Sequence, residues 1–118
     1  LDVFAPWCGP CKMLEPALEQ LAERLQSGKF HEDGVPPPRV IRMDSDAHPS
    51  KATLLGVEAL PTILFFKGGV EQGRAEGALT IAELEQKAVD MLQLDGFEVS
   101  APAVSKVADM EELELTIQ

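Results

Sequence analysis

The sequence predicts an α/β fold, a central sheet sandwiched by helices. Three observations carry this. Apolar runs rich in strand-forming residues, LDVFA (1–5), RVIRMD (39–44) and TILFFK (62–67), alternate with segments of helical periodicity. Leu14, Leu18, Leu21 and Leu25 recur at steps of four, three and four, which makes one apolar helix face. The stretch TIAELEQKAVDML (80–92) opens with a capping box, Thr80 and Glu83, and sets Ile81, Leu84, Ala88 and Met91 on one face. The resulting order of strand, helix, strand, helix, hairpin, helix is that of a layered α/β domain.

Taken in order, residues 1–5 read as the end of a buried strand. A helix is expected from about Cys8 to Gln26, with Pro16 inside it and expected to bend it. The Gly- and Pro-rich stretch SGKFHEDGVPPP (27–38) reads as a loop. Strand 39–44 follows, then a short helix in PSKATLLGV (49–57). TILFFK is a continuous apolar run and so a buried strand. Gly68-Gly69 then turns the chain into an edge strand, VEQGRA (70–75).

The 118 residues suffice for one domain with one core. A hydrophobic content of 45% argues against a disordered chain. No stretch approaches the roughly 18–20 apolar residues of a membrane span. The formal charge of -10 disfavours nucleic acid and anionic membrane surfaces as partners. Residues 1–93 hold 14 acids and 9 bases, whereas residues 94–118 hold 6 acids and 1 base, so the last fifth reads as a separate acidic piece. No internal repeat appears in 1–93. Two cysteines cannot build a disulfide framework. With His31 and His48 they would make a zinc site only if all four converged, and the histidine spacing matches no usual ligand pattern.

The two cysteines, Cys8 and Cys11, stand three apart where the first apolar run meets the helix. A helix N-terminus favours negative charge, so the Cys8 thiol is expected to ionise readily and act as a surface-exposed nucleophile. Cys11 lies one turn on, within reach of a short disulfide, and Pro10 stiffens the turn. Such a pair suits thiol–disulfide exchange. Two ordinary buried thiols at chance spacing remain the plainer reading of a bare CxxC. Trp7, Gly9 and Pro10 around the pair weigh against it.

The segment APWCGPCK resembles the active site of thioredoxins. The resemblance covers about residues 1–92. It implies a thioredoxin-like fold with a central mixed sheet flanked by helices, and a protein-disulfide reductase working through a Cys8–Cys11 dithiol. It implies no bound cofactor, electrons supplied by an external thioredoxin reductase, and disulfide-containing proteins as substrates. By the same resemblance Asp2, six residues before Cys8, is the buried aspartate that takes the proton of Cys11. Leu60-Pro61-Thr62 is the cis-proline segment facing the cysteines, and Gly77-Ala78 lies on the far rim of the substrate groove. Trp7, Gly9, Pro10 and Leu60 complete the expected substrate-binding set. HPSKATLLGVEALPTILFFKGG and RAEGALT look most similar to plastid thioredoxins of the y type. That would imply peroxiredoxins and methionine sulfoxide reductases as targets, an algal or plant origin, and the plastid stroma, with the cytoplasm as the other reducing compartment.

Read as residues, several positions keep two meanings. Asp2 is either a buried carboxyl with a raised pKa or an exposed acid at a frayed terminus. Pro61 alone would be read as a trans-proline at a strand start, since few X-Pro bonds are cis. Arg42 stands where the family often has a lysine near the aspartate, and the reading as a solvated strand residue is slightly favoured over one that tunes Asp2. Trp7 shields Cys8 or merely packs. His31 and His48 read as inert or structural. Loop 27–38 is longer than the family's and bears on target choice.

Thioredoxins have a further strand and helix before the strand carrying Asp2, so an uncovered sheet edge and face are expected. VSKVADMEELELTIQ (104–118) resembles such an opening strand and helix. It is the start of a second domain, a segment that folds back or swaps, or a disordered acidic extension, the last having most support from composition. A competing function is a binding module docking through the groove around Trp7 and Pro61, with redox chemistry incidental. Function retained by a cysteine-free variant would favour it. An oxidase or isomerase ranks lower, because those enzymes tend to carry His where Pro10 stands.

Overall fold

The computed structural model describes residues 1–28 and 36–100. The readings made for His31 and for 104–118 lie outside these residues. Among the described residues, four strands and three helices follow in the order β1 (Asp2–Phe4), α1 (Gly9–Ser27), β2 (Arg42–Asp44), α2 (Pro49–Leu54), β3 (Thr62–Lys67), β4 (Val70–Glu76) and α3 (Ile81–Leu92). They form the expected mixed sheet flanked by helices, with strand order β2-β1-β3-β4. β1 and β2 pair in parallel, with Asp2 opposite Arg42. β3 runs antiparallel to β1, with Asp2 opposite Ile63, and antiparallel to β4. As expected, β4 is an edge strand.

The core lies between α1, α3 and one face of the sheet. Leu14, Leu18, Leu21 and Leu25 of α1 are buried against Ile63, Phe65, Ala75, Leu84 and Ala88. Each leucine, isoleucine or phenylalanine among them contributes about 1.5–3 kcal/mol on leaving water. Alternation along β3 sends Phe65 into this core and leaves Phe66 37% exposed on the other side. Pro16 sits inside α1, which runs unbroken through it. The Thr80–Glu83 capping box is present at the start of α3. Gly68 and Gly69 both take positive φ, 60° and 80°, as a two-residue hairpin loop of this hand requires.

Two elements are clearly shorter than expected. The strand expected over 39–44 is confined to Arg42–Asp44, because β1 offers only three residues to pair with, and the ladder opens where Asp2 N–H donates to Ile41 O at 2.8 Å. The helix expected over 49–57 ends at Leu54. Gly56, with φ 69°, turns the chain out of it.

The ordered chain continues past α3. Leu94 is buried in the main core and Phe97 packs against it. Among the described residues no helix is long and apolar enough to cross a membrane.

Candidate functional site

The short strand β1 ends at Phe4, and Ala5-Pro6-Trp7 carries the chain to Cys8, the N-cap of α1. Cys8 N–H donates to Ala5 O at 3.1 Å, which fixes the turn. Cys8 and Cys11 are joined by a disulfide, their Cα atoms 5.3 Å apart. The Cys8 sulfur also accepts the Cys11 backbone N–H at 3.2 Å, one of the donors a helix start leaves unpaired. Pro10 falls in the first turn, where its missing N–H costs nothing.

The expected surface exposure of Cys8 is corrected. It is 4% exposed and Cys11 1%, in a small cluster with Ala5 flanked by Phe4 and Leu60. Access to Cys8 is from one side, through a surface groove of about 460 Å³. Trp7, Cys8, Gly9, Pro10 and Leu60, all expected at the substrate site, line it together with Ser45, Ala52, Val57 and Glu58. Trp7 is 70% exposed and forms a wall of the groove, held by a hydrogen bond from its indole N–H to Asp46 Oδ2 at 2.9 Å. The Leu60–Pro61 peptide is cis, as the resemblance implies and contrary to the reading from base rates. Pro61 is buried beside the groove and its carbonyl accepts the Gly77 N–H at 2.9 Å. Gly77 and Ala78 themselves lie outside the groove lining.

Asp2 of β1 is 1% exposed, so the frayed-terminus reading is excluded. Its Oδ2 accepts from Arg42 Nε at 3.0 Å, while Oδ1 is buried with no hydrogen-bond partner among the described residues. Burial pushes the Asp2 carboxyl above its ordinary range, and the Arg42 hydrogen bond and charge only partly oppose this. The favoured reading of Arg42 as a solvated strand residue is therefore corrected. Parallel register sets it opposite Asp2, and its guanidinium lies 4.1 Å from the Phe4 ring centroid. Sequence reasoning missed Asp46, Glu15 and the groove residues Ser45, Ala52, Val57 and Glu58. None carries a local signal. Among the described residues no group of three metal-ligating side chains converges. His48 precedes α2 as its N-cap residue without a side-chain capping bond.

The thioredoxin family model matches residues 1–90. The chain belongs to the thioredoxin family. It is 37% identical over 94 residues to Thioredoxin Y1, chloroplastic, of Arabidopsis thaliana, which covers 80% of this chain and 49% of that one. It is 33% identical to Thioredoxin 1 of a Nostoc species, covering 73% of this chain and 72% of that one. Its fold matches a chain from a structure concerned with thiol resolution in yeast mitochondrial 1-Cys peroxiredoxin via glutathione/thioredoxin systems. There the TM-score is 0.62 and the identity 32%, covering 75% of this chain and 74% of that one. The chain spans about half the length of the plastid relatives it matches.

Proposed function

We propose that this chain is a protein-disulfide reductase. The observation that carries the reading is the Cys8–Cys11 pair at the tip of α1, with the Cys8 sulfur facing the Cys11 N–H and opening on a groove. In the reduced protein that N–H faces the Cys8 thiolate, a charge-assisted contact that favours the anion. The thiolate attacks one sulfur of a substrate disulfide. A Cys8–substrate bond forms and the first substrate thiolate leaves. Cys11 then gives its proton to Asp2 and its sulfur attacks Cys8. The mixed disulfide breaks, the second substrate thiolate leaves, and the Cys8–Cys11 disulfide remains. Two electrons have passed to the substrate, and an external dithiol reductant of the thioredoxin reductase kind restores the pair.

Asp2 suits its part because it is buried, holds one unpartnered oxygen and titrates above the ordinary carboxylate range. The groove between Trp7 and Leu60 suits an extended peptide. Peroxiredoxins and methionine sulfoxide reductases are the proposed targets. The first is supported by likeness to a chain from a structure on peroxiredoxin resolution. The plastid stroma is the proposed compartment, supported by the chloroplastic relatives. The acidic segment 94–118 is proposed as an extension of the 1–93 catalytic unit, joined to it through Leu94 and Phe97.

Insulin reduction by the full chain tests the reading. Cys8→Ser is expected to abolish turnover, and Cys11→Ser to accumulate a mixed disulfide on Cys8. Substantial turnover by Cys8→Ser would refute the mechanism.

A further inference from the structure

Arg42 serves two carboxylates from different elements. Its Nε donates to Asp2 Oδ2 at 3.0 Å, and its Nη2 donates to Glu15 Oε1 at 3.3 Å. Glu15 comes from the second turn of α1, four residues after Cys11, so one helix carries both the resolving cysteine and this second acid. Phe4 stacks on the guanidinium and limits where it can move. The outer pair is open to solvent, with Arg42 38% and Glu15 42% exposed. Such a pair is worth little to stability. Its consequence is electrostatic, at the buried end of the same guanidinium.

We propose that Glu15 is a positioning residue for the resolving step, sharing Arg42 with Asp2 so that the buried carboxylate keeps its capacity to accept the Cys11 proton. With Glu15 charged, the guanidinium is divided between two acids and Asp2 is also repelled directly. Both effects favour the protonated form of Asp2. The opposing group is Arg42 itself; the Leu1 nitrogen is turned to Leu64 O at 2.7 Å. The neighbouring strand offers Ile63 opposite Asp2, which is apolar. Without Glu15, Arg42 would pair with Asp2 alone, and the carboxylate would become a weaker base. The inference rests on the role proposed for Asp2.

The test mixes the reduced full chain with an aromatic disulfide and follows the two thiolates released. The first release reports attack by Cys8, the second resolution by Cys11. Glu15→Gln is expected to move the acid limb of the second phase to lower pH by about half a unit, the size of a screened charge at such range. The first phase should be unchanged. Glu15→Asp should restore the limb, and Arg42→Gln should move it upward. A Glu15→Gln profile superimposable on that of the unsubstituted chain, with Arg42→Gln displaced, would overturn the role of Glu15 and leave Asp2 standing. A second phase unaltered by Asp2→Asn would overturn the reading of Asp2 and this inference with it. A role of Glu15 in stability alone would appear as a changed thermal midpoint with no movement of the limb, and would also overturn it.

Discussion

Glu85 of α3 is fully buried, and its carboxylate receives the guanidinium of Arg24 from α1 and, at 2.8 Å, the backbone N–H of Ser100. Arg24 also donates to Glu98 O and to Ser100 Oγ at 3.0 Å, and lies 4.6 Å from the Phe97 ring centroid. The two helices and the segment after α3 are thus fastened at one point. Removing one partner of a buried pair leaves a charge short of solvation. Arg24→Met is expected to cost about 1–3 kcal/mol, discounted because Arg24 is 32% exposed and Ser100 still serves Glu85. Chemical denaturation measures this, and hydrogen exchange at residues 94–100 should quicken. An unchanged exchange rate there would show that the segment is held by Leu94 and Phe97 alone.

Asp2 sets a pH dependence of stability. Its carboxyl titrates higher in the folded chain than in the unfolded one, because burial disfavours its charge. The folded state therefore holds more protons between the two values, and stability falls as pH rises through that window. Asp2→Asn removes the buried charge and is expected to raise stability at neutral pH. The gain should shrink as pH falls toward about 4, the ordinary carboxyl range. Denaturation midpoints across pH check this, and a gain constant with pH would mean that shape, not ionisation, was responsible.

Trp7 is the sole tryptophan, so its fluorescence reports directly on the groove wall. Asp46→Ala frees its indole N–H and is expected to shift the emission and raise KM for a peptide disulfide several-fold. Stability should change by less than about 1 kcal/mol, since the lost bond is exposed. An unaltered spectrum would show that Trp7 holds its place without Asp46.

Thr80→Ala removes the cap of α3, whose Oγ accepts the Glu83 N–H at 3.1 Å. The expected loss is about 1 kcal/mol in chemical denaturation, with disulfide reduction unaffected under native conditions. A loss of activity without a loss of stability would show that the cap serves the chemistry and not the fold alone.

The sequence by itself determined the elements and the dithiol. Leucine spacing marks α1, the Thr80–Glu83 box marks α3, the double glycine marks the hairpin, and CGPC puts two sulfurs one turn apart. All of these are encoded within a few residues, because helix faces, caps and tight turns are short-range geometry. The ends of β2 and α2 were less legible. A strand extends only as far as its neighbour allows, and β1 is three residues long.

What only the tertiary structure decided are meetings across the chain. Trp7 finds Asp46 at a separation of 39 residues, Asp2 finds Arg42 at 40, and Arg42 finds Glu15 at 27. No local pattern announces such pairs, since they arise only when β1, β2 and α1 dock in register. The same holds for the burial of Cys8 and the cis Leu60–Pro61 bond, which neighbouring residues do not dictate. Local chemistry wrote the dithiol into the sequence, while the surroundings of Asp2 came from packing.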